Sequence, residues 1–240
     1  MILTSRDLQI VRFVADHGFV KTSHVRALIF EENKSDTPAY RRLELLTEWR
    51  FLRKVEVPTI GGSKGGSGQN VYALDYQGKK LLNPESYMAP RLADWRHIIA
   101  VTDAHVTLWR KRKAERYDIR ECVTEPRNWI TVSGAELRPD LRVRLYDGVE
   151  ERELAWWLEV DTGVERSKQL TDKMLRYYHA WQHANESTFD IFPLAVFLVV
   201  DGERAAERMQ DIQGLIQQGP AEAQELFKVH LLSEFPQVLL

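Results

Sequence analysis

Cysteine is nearly missing from this chain: Cys122 is the one such residue in 240. That count excludes an internal disulfide and a cysteine-cluster zinc site, and the alternating apolar segment around Cys122 suits a small buried hydrophobe. Long apolar runs are missing too. None reaches the roughly 18 residues of a membrane span, and Met1-Ile2-Leu3-Thr4 lacks the basic-then-apolar pattern of a secretory signal, so a cytoplasmic location with no membrane partner is expected. Nor is there an excess of one charge, with 33 Lys and Arg against 35 Asp and Glu. A composition that is 44% hydrophobic and 28% charged argues against disorder, and the length is enough for one large core or two smaller ones.

The near-zero sum hides an uneven distribution. Residues 1–84 carry 13 Lys and Arg against 9 Asp and Glu, about +4, and the remainder 20 against 26, about −6. For a nucleic-acid partner such local asymmetry matters more than the total.

Within that basic third, Thr4-Ser5-Arg6-Asp7 has capping-box spacing and opens a helix whose apolar face, Leu8, Ile10, Val11, Phe13 and Val14, ends near His17-Gly18. A second short helix is expected from Thr22 as N-cap, with Val25, Leu28 and Ile29 buried. Pro38 sits in the first turn of a third, in which Tyr40, Leu43, Leu45, Leu46 and Trp49 form the apolar side and Arg41, Arg42 and Arg50 the basic one. A strand-like run, Phe51 to Val57, carries Arg53 and Lys54. It is followed by the glycine-rich loop Gly61 to Gly68 with Lys64, then by a second strand, Val71 to Leu74. Three helices followed by a two-stranded wing is the winged helix-turn-helix plan. Its third helix would enter the major groove and its wing would lie along the backbone or minor groove. Arg41, Arg42, Arg50, Arg53, Lys54 and Lys64 are therefore the candidate DNA contacts.

The prolines and small polar residues from Asn83 to Pro90 read as a linker, so the expected organisation is 1–84, a linker at 85–93, and a second domain at 94–240. That domain opens with a helix over 95–114, with Ile98, Val101, His105, Leu108 and Trp109 facing inward. Its cationic end, Arg110 to Lys113, suits the helix dipole. Strands follow over 119–124, 141–146 and 154–160, with an Asp147-Gly148 turn, then a helix over 162–184, an apolar strand over 192–200, a helix over 203–218 and a last strand over 227–232. A nearly continuous apolar strand between helices predicts a sheet covered on both faces, an α/β (α+β) fold with a mixed sheet.

Period-two geometry puts Trp157, Glu159 and Asp161 on one face of their strand, and the hairpin returns Asp140 to the same end of the ladder. Glu165, Gln169, Asp172, Lys173 and Arg176 form one stripe of the next helix. Carboxylates on adjacent strand ends with a lysine nearby are what a metal-dependent phosphodiesterase needs to hold a cation and activate water. Other chemistries fit less well. His179 and His183 are four apart but lack the glutamate of the metalloprotease motif, the wing glycines lack the Gly-Lys-Ser/Thr ending of a P-loop, and Ser63, Ser67 and Ser133 lack a nucleophile elbow. Trp156 and Trp157, on opposed faces, suit a core better than a stacking platform.

Pro139-Asp140 and Glu159-Val160-Asp161, in this order of helices and strands, resemble the PD-(D/E)xK nuclease superfamily. With Leu3-Thr4-Ser5-Arg6-Asp7, Trp95-Arg96-His97, Arg138-Pro139-Asp140 and Leu158 to Glu165 through Lys173 to Tyr177, the chain more specifically resembles the replication-relaxation family of bacterial mobile-element and plasmid proteins. The resemblance implies a winged helix followed by a restriction-endonuclease-like domain. It also implies a DNA endonuclease or nickase in plasmid replication, relaxation or mobilisation, with Asp140, Glu159, Asp161 and Lys173 as catalytic residues. Asp161 takes the place of the superfamily's lysine. Related nucleases with a lysine moved to the next helix point to Lys173 here, and to Lys168 after it. Asp140, Glu159 and Asp161 would then suit Mg²⁺ or Mn²⁺. The alternative is an inactive nuclease fold serving as a DNA-binding regulator or replication accessory. Duplex DNA is the expected partner, RNA is not excluded by carboxylates alone, and a homodimer stays open.

Overall fold

The computed structural model describes residues 2–58, 70–82, 89–114, 117–184 and 189–237. They form two compact units, Met1–Val106 and Thr107–Leu240. The sequence pattern begins the second domain at residue 94; the compact units instead divide inside a helix, because that helix's first turns pack within the first unit. Lys64 and the wing glycines Gly61 to Gly68 lie outside the described residues, as does the start of the expected linker.

In the first unit, α1 (Ser5–His17) starts at a two-way capping box. The Thr4 backbone N–H donates to Asp7 Oδ2 at 2.6 Å and the Asp7 N–H donates to Thr4 Oγ1 at 3.3 Å, satisfying donors that a helix start leaves open. A two-residue strand, β1 (Val20–Lys21), runs directly into α2 (Thr22–Ile29), so Thr22 is the first helical residue and Lys21 takes the cap position expected for Thr22. Helix α3 (Thr37–Glu48) buries Ala39, Leu43 and Leu46, while Tyr40 is exposed, contrary to expectation. Strands β2 (Leu52–Val55) and β3 (Val71–Leu74) complete an antiparallel sheet in the order β1-β3-β2. A short helix, α4 (Tyr76–Leu81), follows.

All four residues of the central strand β3 are buried because both of its faces are covered. Tyr72 and Leu74 pack with Ile10, Val14 and Leu43 of the helical layer, whereas Val71 and Ala73 pack with Phe19 and Ile99. Ile99 lies in α5 (Trp95–Ala114). Thr102 of the same helix donates from Oγ1 to the Ile98 carbonyl at 2.8 Å, so its hydroxyl is satisfied in the core.

The second unit is built on a five-stranded sheet ordered β10-β9-β8-β7-β4, from β4 (Tyr117–Thr124), β7 (Leu141–Asp147), β8 (Arg152–Asp161), β9 (Leu194–Val199) and β10 (Phe227–Leu231). β4, β7 and β8 are antiparallel neighbours, and β8, β9 and β10 are parallel. The parallel connections are made through α6 (Ser167–His183) and α7 (Ala205–Gln218), as parallel pairs require. A further hairpin, β5 (Ile130–Val132) with β6 (Ala135–Leu137), has strands too short to show a period in the sequence. The sheet is therefore mixed, and the fold is α/β.

The alternation in β7 is clean: Leu141, Val143, Leu145 and Asp147 are buried, and Arg142, Arg144 and Tyr146 between them are half-buried. Asp147 ends the strand by accepting from the backbone N–H groups of Val149 and Glu150 at 3.0 and 3.2 Å. In β8 both tryptophans fill core, on opposite faces. Trp157 packs among Tyr177, Phe189 and Phe192, and Trp156 meets Phe235 edge-on. Leu170, Met174, Tyr177 and Ala180, at helical spacing, are the α6 side of the Trp157 core.

Candidate functional site

Register decides which carboxylates meet. Leu141 pairs with Leu158, which sets Asp140 across from Glu159 at the end of the β7–β8 ladder. The Asp140 N–H donates to the Leu158 carbonyl at 2.9 Å, and Asp140 Oδ2 accepts from the Val160 N–H at 2.6 Å. Just upstream, the side-chain amide of the fully buried Asn128 donates to the Pro139 carbonyl and holds the chain where it enters the strand.

Glu159 is 2% exposed. From α6, Lys173 Nζ donates to Glu159 Oε2 at 2.8 Å and to Glu165 Oε1 at 3.1 Å, and the Tyr177 hydroxyl donates to Glu159 Oε1. Lys173 and Tyr177 are four residues apart on one helical face, which is why one carboxylate takes both. The electrostatics follow from crowding. Burial pushes the Glu159 carboxyl above its usual range, Lys173 pulls it back, and Asp140 pushes it up again. Burial would also depress the Lys173 ammonium, but Glu159, Asp140 and Glu165 more than reverse this, so it stays charged. Burial and the neighbouring Glu159 carry the Tyr177 phenol far up, which keeps it a donor.

Asp161 is drawn elsewhere. Arg208 of α7 grips it with two bonds, Nε to Oδ1 at 3.0 Å and Nη2 to Oδ2 at 2.7 Å, and also donates to the Glu165 carbonyl at 2.8 Å. The Gly163 N–H adds a 2.6 Å bond to Oδ1 from a turn with φ +82°, where glycine is favoured. The sequence places Asp161 on the same face as Glu159, and it is there, but as the partner of a guanidinium rather than as a third member of the Asp140–Glu159 pair. Among the described residues no group of three or more His, Cys, Asp and Glu side chains is arranged to hold a metal ion. Lys168, the second candidate lysine, is exposed on α6, and the His179 and His183 rings stack on each other at 4.2 Å on the surface.

Of the basic candidates in the first unit, Arg41, Arg53 and Lys54 are exposed. Arg42 is not presented to solvent in the expected way. Its Nε and Nη2 bond both oxygens of Asp7, which is fully buried, so this arginine ties α3 to the start of α1. Arg50 pairs with Asp75 at 3.2 Å across a surface. At the cationic end of α5, Arg112 lies over the Trp109 ring at 3.6 Å and donates to its carbonyl, an internal use for one of those charges.

Tyr177, Glu165, Arg208 and Asn128 belong to the site and its frame but are not singled out as site residues by the sequence. The four-residue spacing of Lys173 and Tyr177 is the available signal; nothing local marks Arg208 as the partner of Asp161, 47 residues away.

Fold and site thus define an α/β protein with a mixed sheet that carries a buried carboxylate, lysine and tyrosine cluster at one strand end. The replication-relaxation family model matches residues 11–194, and the chain belongs to that family. No curated protein and no solved structure matches it. Among the described residues no helix is long and apolar enough to cross a membrane.

Proposed function

We propose that the second unit is a PD-(D/E)xK-type phosphodiesterase acting on DNA, and that the first unit is a winged helix that holds the duplex, in plasmid or mobile-element replication, relaxation or mobilisation. The observation that carries this reading is the convergence of Asp140, Glu159 and Lys173. Two strands bring the carboxylates opposite each other, and the lysine missing at position 161 arrives from α6 at 2.8 Å. Family membership supports the setting.

The donor set fits a small hard cation, which is commonly bound by one or two carboxylates with water and phosphate oxygens completing the shell. Asp140 and Glu159 would hold Mg²⁺ or Mn²⁺. The raised Glu159 carboxyl fits too, since a buried carboxylate facing another is stabilised by an added positive charge. When bound, such an ion lowers the pKa of water and offsets charge on a phosphoryl oxygen. The chain's own groups do the rest. Lys173 has three donors, two of them used on Glu159 and Glu165, and the third is available to a phosphate oxygen gaining charge. Tyr177 fixes the Glu159 rotamer, and Arg208 holds Asp161 and the Glu165 backbone so that the β8–α6 connection keeps its shape.

The test is cleavage of supercoiled, linear and single-stranded DNA, and of RNA, with Mg²⁺ or Mn²⁺. Asp140→Asn and Glu159→Gln are expected to lower the rate by roughly a hundredfold or more while DNA affinity is unchanged. In the first unit Arg41→Glu and Lys54→Glu should weaken duplex binding and flatten its salt dependence by roughly one unit of slope for each phosphate no longer neutralised. A second reading, a DNA-binding regulator with an inactive nuclease fold, is favoured by one observation: Asp161 is neutralised by Arg208 rather than left to a cation. Absence of cleavage of every substrate by wild type, with duplex binding intact, would establish it.

A further inference from the structure

On the sheet face that carries Asp140 and Glu159, the next positions along the strands line a groove of about 370 Å³. Arg142 follows Asp140 by two residues and pairs with Trp157, which precedes Glu159 by two, so the groove begins about 7 Å along the strands from the carboxylates. Its volume is within the range of small-molecule sites. Trp157, fully buried, forms the inner wall, and Ile191, 46% exposed, stands at the rim with Phe189 beside it.

The charges lining this groove cancel: Arg142 and Arg144 against Glu121 and Asp190. A phosphate would gain little there, and a neutral ligand suits it better. The polar groups are also partly uncommitted. Arg142 spends Nε and Nη2 on one oxygen of Glu121, Oε1, at 2.9 and 2.5 Å. Among the described residues no hydrogen bond uses Arg142 Nη1 or Glu121 Oε2, so a donor and an acceptor lie side by side next to an apolar wall. A planar heterocycle with adjacent acceptor and donor atoms on one edge matches that pattern. Nucleobases are such heterocycles: Arg pairs with ring nitrogen and carbonyl acceptors, and Glu accepts from an exocyclic amino group.

We propose that this groove binds one unstacked nucleobase of the strand whose phosphodiester lies at Asp140 and Glu159. The choice of strand rests on the phosphodiesterase reading; the fit of a base to the groove does not. Placing a base there orients its own backbone at the carboxylates and requires that nucleotide to be unpaired, so single-stranded or distorted DNA is the expected substrate form.

Titration of the full chain with the four deoxynucleosides and, separately, with 2-deoxyribose 5-phosphate tests this, followed by calorimetry and by the indole N–H NMR signal of Trp157, assigned with Trp157→Phe. At least one nucleoside should shift that signal saturably and the sugar phosphate should not. Ile191→Glu, a change at an exposed rim position, should weaken nucleoside binding roughly tenfold, the scale of a single base-stacking interaction. Should Trp157→Phe fail to fold, the calorimetric comparison of wild type with Ile191→Glu decides the same question. No heat and no shift with any nucleoside at millimolar concentration, an equal response to sugar phosphate, or unchanged affinity in Ile191→Glu would overturn the proposal. Nucleoside binding by a chain that cleaves nothing would sink the phosphodiesterase reading and keep the groove; cleavage without nucleoside binding would do the reverse.

Discussion

Asp7 in the first unit and Glu159 in the second are both buried carboxylates paired with a cation, yet their protonation is pushed in opposite directions. Burial raises both. At Asp7 the bonds from Arg42 and from Thr4 overcome that cost, and the carboxyl ends below its usual range. At Glu159 burial is complete, Lys173 is shared with Glu165, and Asp140 faces it, so the carboxyl ends above its usual range. One arrangement is optimised for the charge and holds two helices together. The other keeps a charge where the fold alone disfavours it, as a site prepared for a further positive charge would.

Removing the cation from the Asp7 pair should have the largest effect. Arg42→Met leaves a charged carboxylate at zero exposure and is expected to cost about 3–5 kcal/mol in urea unfolding. The same measurement on Glu159→Gln should show a loss under about 1 kcal/mol, or a gain, at pH 8, because the change relieves both desolvation and the Asp140 repulsion. A loss as large as that of Arg42→Met would erase the distinction between the two carboxylates.

Their pH dependences should also be opposed. Asp7 has a folded pKa below its reference of 3.8, so the unfolded chain binds more protons between the two values. Its contribution is full above pH 3.8 and is lost as pH falls through the folded value, and the penalty of Asp7→Asn should shrink in acid. Glu159 has a folded pKa above 4.5, so the folded chain binds the extra proton. Its contribution is present below 4.5 and is lost as pH rises through the folded value, so Glu159→Gln should gain on wild type as pH rises from 4.5. Chemical denaturation across pH 3.5–8.5 reads both slopes. Smaller still, Tyr177→Phe removes one bond to Glu159 and should cost about 1–3 kcal/mol by the same unfolding assay. Smallest of all, Arg41→Ala on the exposed side of α3 should change stability by less than about 0.5 kcal/mol while lowering duplex affinity in a filter-binding assay.

The same two carboxylates mark how far the sequence can be read. Asp7 is legible as half of a capping box, three residues from Thr4, but its second role as anchor for Arg42 is not, since that pair spans 35 residues. Arg42 therefore looks like one more cation on a basic helix. Glu159 is legible as a strand-end carboxylate, and a short hairpin is enough to place Asp140 opposite it. Lys173 is legible as a residue of the right stripe of the next helix. Tyr40 misleads because its neighbours at three and four residues are apolar, while the buried face of α3 is the one through Ala39, Leu43 and Leu46.

By itself the sequence determined the local order: where α1 is capped, the span of α5, the alternation in β7, the turn at Asp147, and the face shared by Trp157, Glu159 and Asp161. These follow from rules that act within a few residues, namely helical and strand periods, caps and turns. Only the tertiary structure decided which charge meets which, giving Asp7 to Arg42, Asp161 to Arg208, and Glu159 to both Lys173 and Tyr177. The physical reason is that an ion pair depends on distance in space, and periodicity states which way a side chain points but not what distant segment is brought before it.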